Sequence, residues 1–191
     1  MESFKIKTHK ETVHFMSLFR LFLLLTASLT LLSASIRDLQ TFSADFTQTI
    51  TNDQNATITY KGKFYASRKG NSALWEYNTP VKKRIYYRLG EVIIVEPELE
   101  QAIYAKLQKV PDLLKLLKSA KQIGPGLLRT TFDHIAYTIH LSGEKITRID
   151  YLDELGNRVR IRFSHQRQNR YIDPALFVCQ IPTGYDILQQ R

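Results

Sequence analysis

The sequence predicts a mainly β protein in which one long antiparallel sheet curls toward a barrel and carries a helical cover. Three observations support this prediction. Apolar and polar residues alternate through most of the chain after residue 36, short turn sequences separate the alternating segments, and one segment with helical spacing interrupts them. A long, twisted sheet tends to curl. We therefore expect about ten strands and two helical pieces in one domain, with the inserted helix over the open mouth.

The N-terminal segment has the pattern of an export signal. The apolar run 21–32 follows Arg20, is too short to cross a bilayer, and precedes the small residues Ser33, Ala34 and Ser35. We expect residues 1–35 to be a signal peptide, with Met16 as a hypothesis for the true start. Residues 36–191 then form the exported domain.

Composition narrows the function classes. The net charge of +9 is compatible with a nucleic acid, an anionic membrane surface or an acidic protein as partner. Export disfavours nucleic acid. Cys179 is the single cysteine, so no intramolecular disulfide forms, which is ordinary for a bacterial envelope protein. No cysteine follows the leader to carry a lipid anchor, and we expect a soluble protein.

The first predicted strands are 42–50 and 58–68. The second continues through the turn 69–71 into a partner strand that ends at Pro80, because proline cannot donate to a ladder. The remaining predicted strands are 82–88, 92–96, 101–105, 132–141, 146–152, 158–163 and 177–181. Residues 36–41 read as a short helix or lead-in.

The predicted helix begins at Pro111, where the apolar spacing changes. Apolar residues fall on one helical face and lysines on the other, and Gly124, Pro125 and Gly126 are expected to stop the chain. With the inward positions of the strands, this face gives a predicted apolar set: Phe42, Phe46, Tyr60, Phe64, Ala66, Ala73, Trp75, Tyr77, Leu113, Leu116 and Leu117. A plain core is the favoured interpretation from pattern alone, and a lined cavity is the alternative.

Arg68 is a charged residue at the end of the apolar face of its strand. Its head either lies in water at the rim or serves as a latch. Because a buried charge needs partners, a latch would donate to backbone carbonyls of the helix end or of the loop 124–126. That contact would hold the helix over the sheet.

Other polar groups indicate binding rather than catalysis. Arg158, Arg160 and Arg162 form a row whose default interpretation is a solvated strand face, with docking of an acidic partner as the alternative. His134 and His140 lie too far apart along one strand to share a metal. The sequence has no nucleophile motif and no phosphate loop. We expect no enzyme activity, no metal and no cofactor.

The predicted turn after the first strand contains Asn55, Ala56 and Thr57, an acceptor pattern for N-glycosylation. Asp53, two residues before the asparagine, extends it toward the acceptor pattern of bacterial N-glycosylation. A plain turn is the alternative.

Several of these segments together resemble the periplasmic outer-membrane lipoprotein carriers, the LolA family. Phe42, Ala44, Phe46 and Gln48 resemble its F-x-A-x-F-x-Q opening strand. The stretch 62–80, with an arginine, a tryptophan and a final proline, is similar to its next hairpin. Residues 100–102 resemble the segment before its lid, and residues 173–185 its C-terminal strand and loop.

The resemblance implies an unclosed antiparallel β-barrel of about ten to eleven strands, with helices covering a hydrophobic cavity and Arg68 at the latch position. It further implies a periplasmic chaperone that takes acylated lipoproteins from an inner-membrane ABC transporter and delivers them to an outer-membrane receptor. We expect it to be a monomer. A lipid-sensing or amphiphile-binding module of the same fold and a structural envelope protein with a filled core remain alternatives.

Overall fold

The computed structural model describes residues 36–88, 90–106 and 111–190, and these form a single 12-stranded sheet. The strands are β1 Thr41–Thr51, β2 Thr57–Ser67, β3 Ser72–Thr79, β4 Lys83–Arg88, β5 Glu91–Glu96, β6 Gln101–Lys106, β7 Lys121–Gly124, β8 Leu127–Phe132, β9 Ile135–Ser142, β10 Lys145–Leu152, β11 Arg158–Gln168 and β12 Asp186–Gln190. The signal peptide predicted at 1–35 lies outside the described residues.

The sheet is unclosed, as predicted. Its strand order is β12-β6-β5-β4-β3-β2-β1-β11-β10-β9-β8-β7, so β12 and β7 form its two edges within the described residues. Every neighbouring pair is antiparallel except β12 with β6. The strand count is 12 rather than about ten to eleven, because β7, β8 and β12 were not predicted and the strand predicted at 177–181 is absent.

The central hairpin sets which side chains face inward. β1 and β2 pair over their full length, with Phe46 opposite Gly62 and Ala44 opposite Phe64. Since successive side chains alternate between faces, the aromatic residues of both strands lie on the same side. This inner face forms the main core of the domain.

The helix α1 spans Leu113–Ser119 and is shorter than the sequence predicts. The Asp112 side chain caps its first turn, and Ala120 already has extended backbone with φ −68° and ψ 137°. The prediction that residues 124–126 end the helix is wrong. Gly124 is the last residue of β7, and residues 125 and 126 form the turn into β8, where Gly126 adopts φ +63°.

Two predicted strands are also corrected. Residues 132–141 are not one strand, because Asp133 and His134 have positive φ and turn the chain from β8 into β9. The strand predicted at 177–181 is absent. A 3₁₀ helix spans Pro174–Phe177, with the Asp173 side chain accepting from the amide of Ala175, and the last strand comes later, at Asp186–Gln190.

The segment before β1 contributes to the core. Ile36 and Arg37 are helical, and β1 begins at Thr41. Ile36 and Leu39 are among the most buried side chains of the protein. They close one end of the inner face.

Candidate functional site

The inner face of β1, β2 and β3 carries a continuous aromatic cluster. The ring centroids of Phe46 and Trp75 lie 5.0 Å apart at a near-perpendicular angle, and Phe46 contacts Tyr77 in the same way. Phe64 lies 4.1 Å from Trp75. Edge-to-face contacts of this kind favour a rigid arrangement of rings. The cluster therefore presents a large, preformed apolar surface.

One polar group is built into this cluster. The hydroxyl of Tyr77 donates to the side-chain oxygen of Gln48 at 3.0 Å. Burial raises the pKa of Tyr77 above its ordinary value, so its hydroxyl stays protonated across the physiological range. In the sequence, Gln48 stands out only as the last residue of the F-x-A-x-F-x-Q pattern. Its inward position explains a glutamine there, because its side chain accepts the hydrogen bond of the buried Tyr77 hydroxyl.

α1 lies over the apolar face. Leu113, Leu116 and Leu117 are buried, and so is Leu114, which the sequence placed beside the helical face. The predicted inner residues are buried in the structure, apart from Tyr60 and Trp75, which are half-buried and pack against the same core. Described residues thus fill the inner face with side chains. A cavity between α1 and the sheet is not shown.

Arg68 joins α1 to the segment that precedes β1. Its Nε donates to the carbonyl of Leu39 at 3.0 Å, and its Nη2 donates to the carbonyl of Arg37 at 3.1 Å. A longer bond of 3.5 Å runs from Nη2 to the carbonyl of Leu114, in the first turn of α1. The acceptors described are therefore carbonyls of residues 37–39 and α1, rather than of the loop 124–126.

The two ends of α1 are held differently. At its start, the Asp112 carboxylate accepts from the amide of Leu114 at 2.8 Å and from that of Lys115 at 3.4 Å. At its end, the hydroxyls of Ser119 and Thr130 share a hydrogen bond of 2.8 Å, and Thr130 is buried in β8. The end of α1 is anchored to the sheet by a short bond, and its start is joined to Arg68 by a long one.

A second cation lies at the aromatic face, and the sequence analysis missed it. Lys83 Nζ lies 4.7 Å from the ring centroid of Tyr77 and 5.3 Å from that of Tyr60. These are cation–π distances. Tyr77 and Lys83 are directly opposite each other in the pairing of β3 with β4. Lys83 could therefore have been found only by knowing this register.

The predicted arginine row lies on the opposite, outer face. Arg158, Arg160 and Arg162 are exposed and alternate with buried residues of β11. Arg158 Nη2 donates to Asn55 Oδ1 at 2.7 Å, and Arg160 Nε donates to Asp150 at 2.7 Å. Arg162 stands between Thr47 and Arg148 in the registers of β1 and β10.

Asp150 is the carboxylate at the centre of this outer face. Burial alone would raise its pKa, but hydrogen bonds and charges of Arg160 and Arg148 outweigh it, and the pKa lies below its usual value. His140 Nε2 is 2.9 Å from the same carboxylate. An open pocket of about 500 Å³ lies here, lined by the three row arginines, Asp150 and threonines of β1 and β9.

The described residues bring no three histidine, cysteine, aspartate or glutamate side chains together as a metal site. His134 and His140 lie in different elements, one in the β8–β9 turn and one in β9. In the same part of the chain, none of the helices has the length and apolarity needed to cross a membrane.

Comparison with known proteins gives a consistent result. The family profile described as outer membrane lipoprotein carrier protein LolA matches residues 37–123. The outer-membrane lipoprotein carrier protein of Campylobacter jejuni is 41% identical over 149 residues, covering 78% of this chain and 86% of that protein. That of Helicobacter hepaticus is 31% identical, covering 80% and 85%.

A solved structure supports the fold. An uncharacterised conserved protein from Thermus thermophilus superposes with a TM-score of 0.51 over 86% of this chain and 99% of that one, at 11% identity. Identity at that level supports the fold alone. The level and extent of identity to the carriers show more: the chain belongs to the outer-membrane lipoprotein carrier protein family, LolA.

Proposed function

We propose that this protein is a periplasmic chaperone that binds the acyl chains of lipoproteins and carries them toward the outer membrane. The observation that carries the proposal is the aromatic inner face of β1–β3 under α1, in a chain that belongs to the lipoprotein carrier family. Proteins of this family are carriers rather than enzymes.

An acyl chain needs such a surface. Burying each CH₂ group contributes about 0.8 kcal/mol, so a chain of about sixteen carbons corresponds to roughly 12 kcal/mol of gross transfer free energy. The cargo cannot cross water with that surface exposed. A rigid aromatic wall can contact the chain with little loss of side-chain entropy, because its rings are already fixed by one another.

We propose α1 as the moving part. Leaving the sheet, α1 would expose the apolar residues of β1–β3 together with its own Leu113, Leu116 and Leu117, and these would line the acyl-binding cavity. The hydrogen bond from Arg68 to Leu114 is the longest contact of that guanidinium, while its bonds to residues 37–39 are shorter. The bond to α1 is therefore the one expected to break.

The contacts of α1 support a motion in which its start leaves the sheet while its end stays attached. The Ser119–Thr130 hydrogen bond and the direct continuation into β7 hold its end, and the Arg68 contact holds its start. Arg68 would act as a latch that closes α1 over the sheet after the cargo leaves.

The delivery partners are also proposals. We propose that an inner-membrane ABC transporter supplies the lipoprotein and that an outer-membrane receptor accepts it. The row Arg158, Arg160 and Arg162 is a docking surface suited to an acidic face of such a partner. Three observations support this proposal: the row is exposed, the cation Arg148 lies beside it, and Asp150 neutralises it only in part, since that carboxylate pairs with Arg160 and Arg148. Binding at this row should weaken with salt, because exposed charges are screened.

Native mass spectrometry tests the carrier function. The protein would be purified from the envelope after co-expression with a tri-acylated lipoprotein. We expect a one-to-one complex that disappears when the acylated cysteine of the cargo is replaced. A bare protein, under conditions where another family member captures the same cargo, would contradict the proposal and favour a sensor or a filled-core structural protein.

Arg68→Leu tests the latch separately. We expect this variant to bind the acylated cargo and to release it to an acceptor more slowly than the wild type, because closure of α1 no longer opposes the bound state. Arg88→Leu is the matched control, since Arg88 is exposed near the same end of the sheet. Equal release by Arg68→Leu and the wild type would show that no latch operates.

A further inference from the structure

The turn between β1 and β2 presents the glycosylation tripeptide at its tip. Residues 53–59 are all exposed. The turn is fixed by its own hydrogen bonds, from the Ala56 amide to Asn52 Oδ1 at 2.8 Å and from the Asn55 amide to the Asn52 carbonyl at 3.1 Å. Asn55 adopts φ +61°, a conformation that asparagine tolerates better than most residues. The tripeptide therefore projects from the sheet on an ordered base.

The side chain of Asn55 has a defined orientation. Arg158 Nη2 lies 2.7 Å from its Oδ1. A guanidinium has donors only, so the atom that faces Arg158 must be the amide oxygen. Nδ2 then points to the other side of the amide, where described residues offer it no hydrogen-bond partner. Nδ2 is the atom that an N-linked sugar would occupy, and attachment there leaves Oδ1 free to keep accepting from Arg158.

The tip is far from the proposed latch. Asn55 lies two residues before the start of β2, and Arg68 directly follows the last residue of that strand. A strand of this length spans about 34 Å at about 3.4 Å per residue. A bulky group on Asn55 would therefore leave α1 and Arg68 unobstructed. The acceptor pattern Asn-x-Ser/Thr occurs at this position alone in the sequence, and Asp53 is exposed beside it.

We propose that Asn55 is an acceptor site for an N-linked oligosaccharide, transferred after export from a polyprenyl-diphosphate-linked donor by a bacterial oligosaccharyltransferase. This site is independent of the lipid-binding function. In the transfer, Asn55 Nδ2 forms a bond to the anomeric carbon while the bond from that carbon to the diphosphate oxygen breaks. The polyprenyl diphosphate leaves with the electron pair, and one Nδ2 proton passes to a base of the transferase.

The neighbouring residues have distinct roles in this proposal. The Thr57 hydroxyl is the second element of the acceptor pattern and lies 3.1 Å from the Thr51 hydroxyl at the surface. The Asp53 carboxylate offers a charge-assisted contact to a cation of the transferase, because it is exposed and lies on the same turn. Both side chains are reachable without unfolding the sheet.

The test uses the full chain, produced with its own N-terminal segment in cells that carry such a transferase and its lipid-linked oligosaccharide. Intact-mass and glycopeptide mass spectrometry are expected to show one glycan, located on Asn55. Asn55→Gln and Thr57→Val should abolish it. Asp53→Asn should lower occupancy about ten-fold, as loss of one charge-assisted contact predicts. Gln54→Ala, on the same tip, should keep full occupancy.

Unmodified protein in cells that glycosylate an established acceptor would overturn the proposal, and so would a glycan on any other residue or on Asn55→Gln. Thermal unfolding of each purified variant separates loss of the acceptor from loss of the fold. The substitutions at Asp53, Gln54 and Thr57 should leave Tm nearly unchanged, and Asn55→Gln should lower it only slightly, because glutamine fits φ +61° less well than asparagine does. A Thr57→Val variant that folds and is still glycosylated would also count against the site.

Discussion

The two ends of the aromatic inner face are built differently. At one end, α1 and residues 36–39 cover the rings, and Arg68 donates to their backbone carbonyls. At the other end, Lys83 lies over Tyr60 and Tyr77, and Ile58 is 43% exposed even though its strand parity points it inward. Among the inner positions of β2, those from Ala66 to Gly62 are buried, Tyr60 is half-buried and Ile58 is exposed.

The two cations, Arg68 and Lys83, therefore have different roles. Arg68 donates to backbone carbonyls of both covering segments, residues 37–39 and α1, so it favours closure. Lys83 contacts ring faces beside solvent and stabilises the rings without covering them. Stability should therefore concentrate at the covered end, and the open end should tolerate substitution.

The largest expected effect is at the covered end. Phe64→Ala removes a ring that is 1% exposed and contacts Phe42, Trp75 and Phe163, so we expect a loss of about 3–5 kcal/mol in the free energy of unfolding. Ile58→Ala at the open end should cost about 1 kcal/mol or less, because much of that side chain already contacts water. Urea denaturation measures both. Equal losses would remove the distinction between the two ends.

Gly62 lies between the two ends, and a substitution there tests how closely the backbones of β2 and β3 pack. A Cβ atom there would collide with the backbone carbonyl of Glu76 and lie 2.9 Å from the Phe46 ring. We expect Gly62→Ala to destabilise the fold by about 1–3 kcal/mol, since neither neighbour can move without disturbing the sheet. Gly124→Ala is the control, because its Cβ would make only an ordinary contact at 3.9 Å. A thermal shift no larger than that of the control would contradict the packing described.

Sequence patterns could predict the inner face because its signal is local. Alternation from Phe42 to Phe46 and from Phe64 to Ala66 assigns faces without knowledge of the partner strand, and the structure buries these residues as expected. Arg68 could be singled out because it is a charged residue at a position where the alternation of its strand calls for an apolar one.

Features that depend on register could not be found in this way. Lys83 reaches Tyr77 only because β4 pairs with β3 in one alignment, and the parallel partner of β6 comes from the end of the chain. The predicted helix was too long because Gly124 and Gly126 are typical helix-ending residues. In the structure the helix ends earlier, where Ala120 has extended backbone. Whether α1 covers a cavity depends on volumes that no pattern encodes.

A smaller effect is expected at the cap of α1. Asp112→Ala removes the acceptor for the amides of Leu114 and Lys115, which should cost about 0.5–2 kcal/mol of local stability. Hydrogen exchange at the amide of Leu116 should accelerate, while amides of β1 should not change. Lys118→Ala, on the exposed side of the same helix, is the control. Uniform acceleration through the sheet would show that α1 does not open as a separate unit.

The smallest effect belongs to the open end. Lys83→Gln removes the cation from the faces of Tyr60 and Tyr77, and we expect a loss of about 0.5–1 kcal/mol because the site is only half-buried. Lys82→Gln, one residue earlier and exposed, should be nearly neutral. Urea denaturation of both variants at low and high salt measures the difference. A Lys83→Gln loss as large as that of Phe64→Ala would mean that the open end is held as firmly as the covered end. A loss confined to about 1 kcal/mol would locate the rigid part of the fold under α1, where a carrier must close.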